Sequence, residues 1–136
     1  MMVAGYGTAF GVCCNETYIV GPGAFATLLR SGWWPKMLLM HEGEEIGSWL
    51  KIHDDGNGLH MVGVIDLTNE RGRLACQMVE DGEATGFSLG GNMAAMQKPI
   101  GGGVCHIREV LDVVEVSIVT VPGNPGALIH EYALTG

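Results

Sequence analysis

The sequence predicts a mainly β (α+β) domain, a small β-barrel of about six to seven strands with a few short helices packed outside. Two observations carry the prediction: apolar residues alternate with period two, or run continuously, over most of the chain, and only two stretches have helical spacing. A third is size, because 136 residues fit one domain, read here as spanning 1–136. Hydrophobic residues make up 47% of the chain, enough for a core, so the 22 glycines do not signal disorder.

The elements follow in order. Tyr6, Thr8, Phe10 and Val12 alternate with small residues, a strand signature, and Thr17–Val20 is a second extended piece. Pro22 suits the first turn of a short helix through Leu29 or Arg30, ended near Gly32. Lys36–His41 reads as a buried strand. Ile46–His53 reads as another, with Ile46, Ser48, Leu50 and Ile52 on one face and Trp49 and Lys51 on the other. The turn Asp54–Gly58 leads into a returning strand Leu59–Leu67, in which Met61 and Ile65 oppose Val62 and Val64. Thr68 or Asn69 caps a second helix through Val79 or Glu80, with Leu74, Ala75 and Met78 on its buried face and Gly82 beyond its end. Strands then follow at Ala84–Met96, Val104–Val110 and Val113–Val121, with a loop Gln97–Gly103 between the first two. Pro122–Pro125 forces a turn before a last apolar piece, Ala127–Leu134, readable as strand or helix.

The formal charge of −8 and the absence of any Lys/Arg cluster argue against nucleic acid or an anionic membrane surface as partner. No apolar run reaches membrane-spanning length, and the N-terminus shows no signal-peptide pattern, which predicts a cytosolic, reducing compartment. Cys13, Cys14, Cys76 and Cys105 form no C-x-x-C pair and read as small buried hydrophobes.

Chemistry concentrates in three places. Gly86-Phe87-Ser88-Leu89-Gly90 fits G-x-S-x-G, whose glycines leave a serine hydroxyl uncovered, although a glycine-rich strand can carry the pattern by chance. A serine needs a histidine to take its proton and a third group to orient that histidine. His53 and His60 flank a turn as solvated hairpin residues, and His130 lies where termini fray. His41 stands where a buried strand opens to solvent, a placement that suits a general base and equally a hydrogen-bonded structural histidine. Glu115 interrupts the apolar run Val113–Val119; a carboxylate there needs a partner, unless it lies at an uncovered face or pairs with Arg108. His41 and Glu45 are four apart, but Gly43 argues against a helix and H-E-x-x-H is absent. Gly101–Gly103 lacks the Lys-Ser/Thr of a phosphate cradle. No cofactor or metal is expected.

Taken together the motifs resemble a family. Gly5-Tyr6-x-x-x-Phe10-Gly11, Gly21-Pro22-Gly23-Ala24-Phe25, Leu38-Leu39-x-His41 leading to Ile46-Gly47, Asp66-Leu67-x4-Gly72, Gly86-x-Ser88-x-Gly90 and Glu115-Val116-Ser117-x-Val119-Thr120-x-Pro122-x-Asn124-Pro125 resemble, in order and spacing, the tailed-phage prohead (procapsid maturation) serine proteases. That family is related to the herpesvirus assemblins, so the resemblance implies an assemblin-like barrel. It implies His41 as base, Ser88 as nucleophile and Glu115 as third triad member. By analogy with assemblins, a loop about eight residues beyond Glu115 supplies a backbone oxyanion donor, Gly123 or Asn124. Gly91 stands where the family usually has a bulky residue, and Gly123 where alanine is common. The chain stops soon after the last motif, without the C-terminal extension of many relatives, as a shortened or a self-processed form would.

The activity implied is a serine endopeptidase that cleaves the scaffold segment of capsid proteins, and itself, inside the prohead in the host cytoplasm. Its partners would be the capsid or scaffold protein, with a homodimer or higher homo-oligomer compatible with assemblin behaviour. The alternatives are a non-catalytic capsid-assembly module on the same barrel and a metal-dependent hydrolase using His41, Glu45 and another histidine.

Overall fold

The computed structural model describes residues 1–14, 18–91, 96–97 and 105–134. Eleven strands and two helices alternate along the described residues: β1 (Met2–Ala9), β2 (Cys13–Cys14), β3 (Tyr18–Val20), α1 (Ala26–Arg30), β4 (Lys36–Leu39), β5 (Glu42–Asp54), β6 (Gly58–Ile65), α2 (Glu70–Glu80), β7 (Gly86–Gly90), β8 (Met96–Gln97), β9 (Cys105–Ile107), β10 (Glu115–Val119) and β11 (Ile129–Ala133). Seven strands form one curled sheet in the order β11-β1-β6-β5-β4-β10-β7, and four form a smaller sheet, β2-β3-β9-β8. The large sheet turns back on itself. Phe87 N–H donates to Ala127 O at 2.9 Å and Ile129 N–H to Thr85 O at 2.9 Å, so the β7 edge reaches the segment that leads into β11 at the opposite edge. This is the mainly β, barrel-like fold the patterning predicts.

Its interior is filled by Val3, Met37, Ile46, Trp49, Met61 and Phe87, all essentially inaccessible to solvent. Trp49 meets Phe87 edge-on, ring centroids 4.9 Å apart. Helix α2 covers this core with Gly72, Ala75, Cys76 and Val79. Its start is set by Asn69, whose side chain accepts the Gly72 N–H, and Gly82 follows its end in the left-handed region.

Several expectations are corrected. Burial along β5 does not keep to the two predicted faces: Ile46 and Trp49 are both buried while Ser48 and Leu50 are exposed, and the β5–β6 register shift between Trp49 and Lys51, a bulge, puts Ile52 rather than Lys51 against the core. On α2 the buried stripe is turned from the predicted one and Leu74 is exposed, because the Asn69 cap and the close approach of Gly72 to Asp66 O fix the helix rotation. The strand expected over Lys36–His41 stops at Leu39, since Met40 and His41 both take left-handed backbone angles. Of the long strands expected at Ala84–Met96, Val104–Val110 and Val113–Val121, the described residues form β7 with β8, β9 and β10, while residues 92–95 and 104 lie outside them. Most of the Gln97–Gly103 loop, with its three glycines, lies outside the described residues. The last apolar piece is a strand, β11, and its pairing with β1 places His130 in the sheet rather than in a frayed end. Cys14 and Cys76 are buried as expected, but Cys13 and Cys105 are only half-buried.

At one end of the sheet His53 and His60 face each other across the β5–β6 hairpin, and His60 Nε2 lies 2.9 Å from His130 Nε2 with the two rings stacked. Burial, and after it the neighbouring His130 and His53, hold His60 below the ordinary histidine range, against the opposing pull of Asp55. A histidine depressed in the folded state favours folding in its neutral form. That contribution is present above the unfolded value of about 6.5 and is lost as pH falls, because the unfolded chain binds the proton first. The thermal midpoint should therefore fall as pH is lowered from about 7 to about 5, and His60→Gln should flatten that dependence; a variant profile parallel to that of the parent would contradict it.

Candidate active site

Three adjacent strands carry the site. Strand β10 runs between β4, to which it is parallel, and β7, to which it is antiparallel, with Ser117 opposite Ser88 and Glu115 opposite Gly90. All five β10 residues are buried, so Glu115, 8% exposed, enters the barrel wall among apolar neighbours. On β7 the alternation works outward: Phe87 plugs the core and Ser88 faces the other way, half-buried. His41 follows β4 directly, where the chain turns into β5.

The side chains meet as one hydrogen-bonded line. Glu115 Oε1 lies 2.5 Å from His41 Nδ1, and Ser88 Oγ lies 3.1 Å from His41 Nε2. An ionised carboxylate only accepts, so Nδ1 carries the imidazole proton and donates it to Glu115; Nε2 is then free to accept from the Ser88 hydroxyl. The imidazole is the open end, 42% exposed, and the carboxylate the closed one, 10% exposed. Glu115 takes His41 and Ser117 as partners rather than Arg108.

Ser117 completes the carboxylate's shell and had no signal in the sequence beyond its place two residues after Glu115. It is fully buried; its hydroxyl donates to Glu115 Oε2 at 2.5 Å and accepts the His41 backbone N–H at 3.1 Å. One serine thus ties the carboxylate to the backbone of the histidine it orients. The backbone there is unusual: Met40 and His41 have φ of 53° and 63°, angles that cost a non-glycine residue about 1–3 kcal/mol each.

The G-x-S-x-G glycines have a use that the motif alone does not reveal. A Cβ on Gly90 would lie 1.7 Å from Glu115 Oε1 and 3.2 Å from His41 Nδ1, so the second glycine clears the space in which the imidazole and carboxylate meet. Gly91, a departure from the bulky residue of the resemblance, has φ of 140°, and a Cβ there would lie 2.9 Å from Val114 N, so this backbone takes glycine for its own geometry.

Beside Ser88 lies a cavity of about 60 Å³ lined by Thr8, Cys14, Phe87, Gly123 and Asn124 among others. The Asn124 side chain is buried and donates to Thr8 Oγ1 at 2.8 Å, Ala9 O at 2.9 Å and Cys14 Sγ at 3.2 Å, and accepts from Gly126 N–H at 2.8 Å. It pins the Pro122–Gly126 turn against β1 and β2. Burial pushes the Cys14 thiol up, opposed by the Asn124 hydrogen bond. Among the described residues, the backbone N–H groups of Gly123 and Asn124 meet no acceptor. A larger open groove of about 550 Å³, lined by Glu45, Ser48, Asp66 and Leu67 among others, shares no residue with the Ser88–His41–Glu115 line. No group of three or more His, Cys, Asp or Glu suited to a metal ion occurs among the described residues, and none of their helices is long and apolar enough to cross a membrane.

A hydroxyl, an imidazole and a buried carboxylate in this order, on a curled β-sheet, are the arrangement of a serine hydrolase. The model of the caudovirus prohead serine proteases matches residues 1–135, and the chain belongs to that family. Among solved structures the fold is similar to that of the KSHV protease in complex with a hexapeptide phosphonate inhibitor, with TM-score 0.62 and 16% identity over 94% of this chain and 63% of that one. It is likewise similar to the varicella-zoster virus protease, with TM-score 0.60 and 14% identity over 94% of this chain and 62% of that one. The chain thus spans under two thirds of either herpesvirus protease. No curated protein matches it.

Gly90→Ala should separate Glu115 from His41 while leaving the strands paired. The expected result is loss of the far-downfield Nδ1–H proton resonance and at least a tenfold slower reaction of Ser88 with a fluorophosphonate, about 1.4 kcal/mol in barrier; an unchanged resonance and rate would show that the clearance is not needed.

Proposed function

We propose that this chain is a capsid-maturation serine endopeptidase that cleaves the scaffold segment of its capsid protein within the prohead, and itself. The observation that carries the reading is the continuous line from Ser88 Oγ through His41 to Glu115.

His41 Nε2 takes the Ser88 proton as Oγ attacks the scissile carbonyl, and Glu115 stabilises the imidazolium through Nδ1–H. The proton then passes from His41 to the leaving amine, and water repeats the sequence to free the acyl-serine. Gly123 or Asn124 donates a backbone N–H to the oxyanion; both line the cavity beside Ser88, neither N–H has an acceptor among the described residues, and the Asn124 side chain holds the turn still. The KSHV protease is described in complex with a hexapeptide phosphonate inhibitor, and reaction of this chain with a phosphonate would report on Ser88. Action on a protein shell also suits the charge of −8, which disfavours DNA as a ligand.

Ser88→Ala should abolish scaffold cleavage, self-cleavage and labelling by a phosphonate, a loss on the order of a million-fold, and Glu115→Gln should cost less, on the order of ten-thousand-fold. The products are read by mass spectrometry after mixing with the capsid substrate. Cleavage that survives in Ser88→Ala would overturn the catalytic reading, and a folded parent protein that neither cleaves nor labels would favour the non-catalytic assembly module.

A further inference from the structure

We propose that Arg71 is a positioning residue for His41, holding from helix α2 the left-handed turn on which the imidazole stands. The inference rests on the reading of His41 as the base for Ser88.

The turn from β4 to β5 is an awkward place for a catalytic imidazole. Met40 and His41 are consecutive left-handed residues with side chains, a conformation that persists only where the surroundings impose it. From the β10 side it is held by two hydrogen bonds, Met40 N–H to Ile118 O at 3.0 Å and His41 N–H to Ser117 Oγ at 3.1 Å. Both act on amides inside the pair; Leu39 and Glu42, which flank it, are partners in the β4–β5 ladder, and neither bond from β10 reaches their carbonyls.

Arg71 reaches those carbonyls. Its Nη2 donates to Leu39 O at 3.1 Å and, at 3.4 Å, to Glu42 O, the residues immediately before and after the left-handed pair. A charged, planar donor suits this bridge, since hydrogen bonds from an ionised group are stronger than neutral ones and a guanidinium presents several donors in a fixed plane. The stem of the side chain lies flat over Gly43, where a Cβ would sit 2.6 Å from Nε and 3.1 Å from Cδ. Nε is buried with no partner, a cost the side chain bears to reach the turn. Among the described residues Arg71 pairs with no carboxylate, so its charge is directed at backbone oxygens alone.

The base of this brace is fixed to the strand that follows the turn. Asn69 Nδ2 donates to Glu45 O at 3.1 Å and Asp66 N–H to Ile46 O at 2.8 Å, which fastens the start of α2 to β5. Arg73, two residues on, is exposed and donates only to Leu67 O within its own connection, which makes it a matched control.

Arg71→Met keeps the stem over Gly43 and removes the guanidinium. Compared with the parent protein it should lower kcat for scaffold cleavage about a hundredfold, the scale of an imidazole misplaced by about an ångström, with KM changed by less than about twofold. It should also shift or abolish the downfield His41 Nδ1–H resonance, and guanidinium added at millimolar concentration, or Arg71→Lys, should recover part of both; Arg73→Met should change neither. Should Arg71→Met not fold, Arg71→Gln, which keeps a polar side chain but not the guanidinium, is judged by the same readouts. A folded variant with parental kcat and resonance overturns the proposal, as does a loss that neither guanidinium nor lysine relieves. The resonance is also read in Ser88→Ala, so failure of the catalytic reading, seen as cleavage surviving there, is distinguishable from failure of the Arg71 brace.

Discussion

The site depends on one buried carboxylate. Glu115 sits in the middle strand of three, the other β10 residues are buried and, Ser117 apart, apolar, and an unpartnered charge there would be expelled or neutralised. It is retained because both oxygens are satisfied, Oε1 by the His41 imidazole and Oε2 by the Ser117 hydroxyl. The Oε1 bond also orients the imidazole, so the pairing that a buried charge requires fixes at the same time the direction in which Nε2 faces Ser88.

The surrounding architecture reads as support for that arrangement. Parallel pairing of β10 with β4 brings the chain just past Leu39 alongside Ile118, and antiparallel pairing with β7 sets Ser88 across from Ser117. Phe87 against Trp49 prevents β7 from slipping by one residue, a shift that would turn Ser88 into the core. Helix α2 bonds to the His41 turn, and the Asn124-anchored turn lines the cavity beside Ser88. Three short strand segments of ordinary composition thus become a site through what lies on either side of them.

Much of the fold was legible in the sequence because period two, Asp-Gly turns and the Asn69 cap act locally. What failed, failed where tertiary packing adds one residue or rotates an element. The bulge after Trp49 put Ile52 rather than Lys51 against the core, and the close contact of Gly72 with Asp66 O set which stripe of α2 is buried. Neither leaves a mark on the hydrophobic pattern. His130 was misread as terminal because position in the chain says nothing about pairing, and β11 joins the sheet beside the first strand.

By itself the sequence determined the residue types of the site, since a serine between glycines, a histidine at the end of an apolar run and a carboxylate inside another are anomalies of composition that local reading detects. It also determined the mainly β class and the negative charge. Only the tertiary structure decided which groups meet: that Glu115 takes His41 and not Arg108, that Ser117 and Arg71 bond to the backbone around His41, and that Gly90 leaves the space where two side chains touch. The physical reason is distance. These contacts join residues far apart in the chain, and the pairing of β4, β10 and β7 that creates them is a property of the closed sheet, not of any one segment.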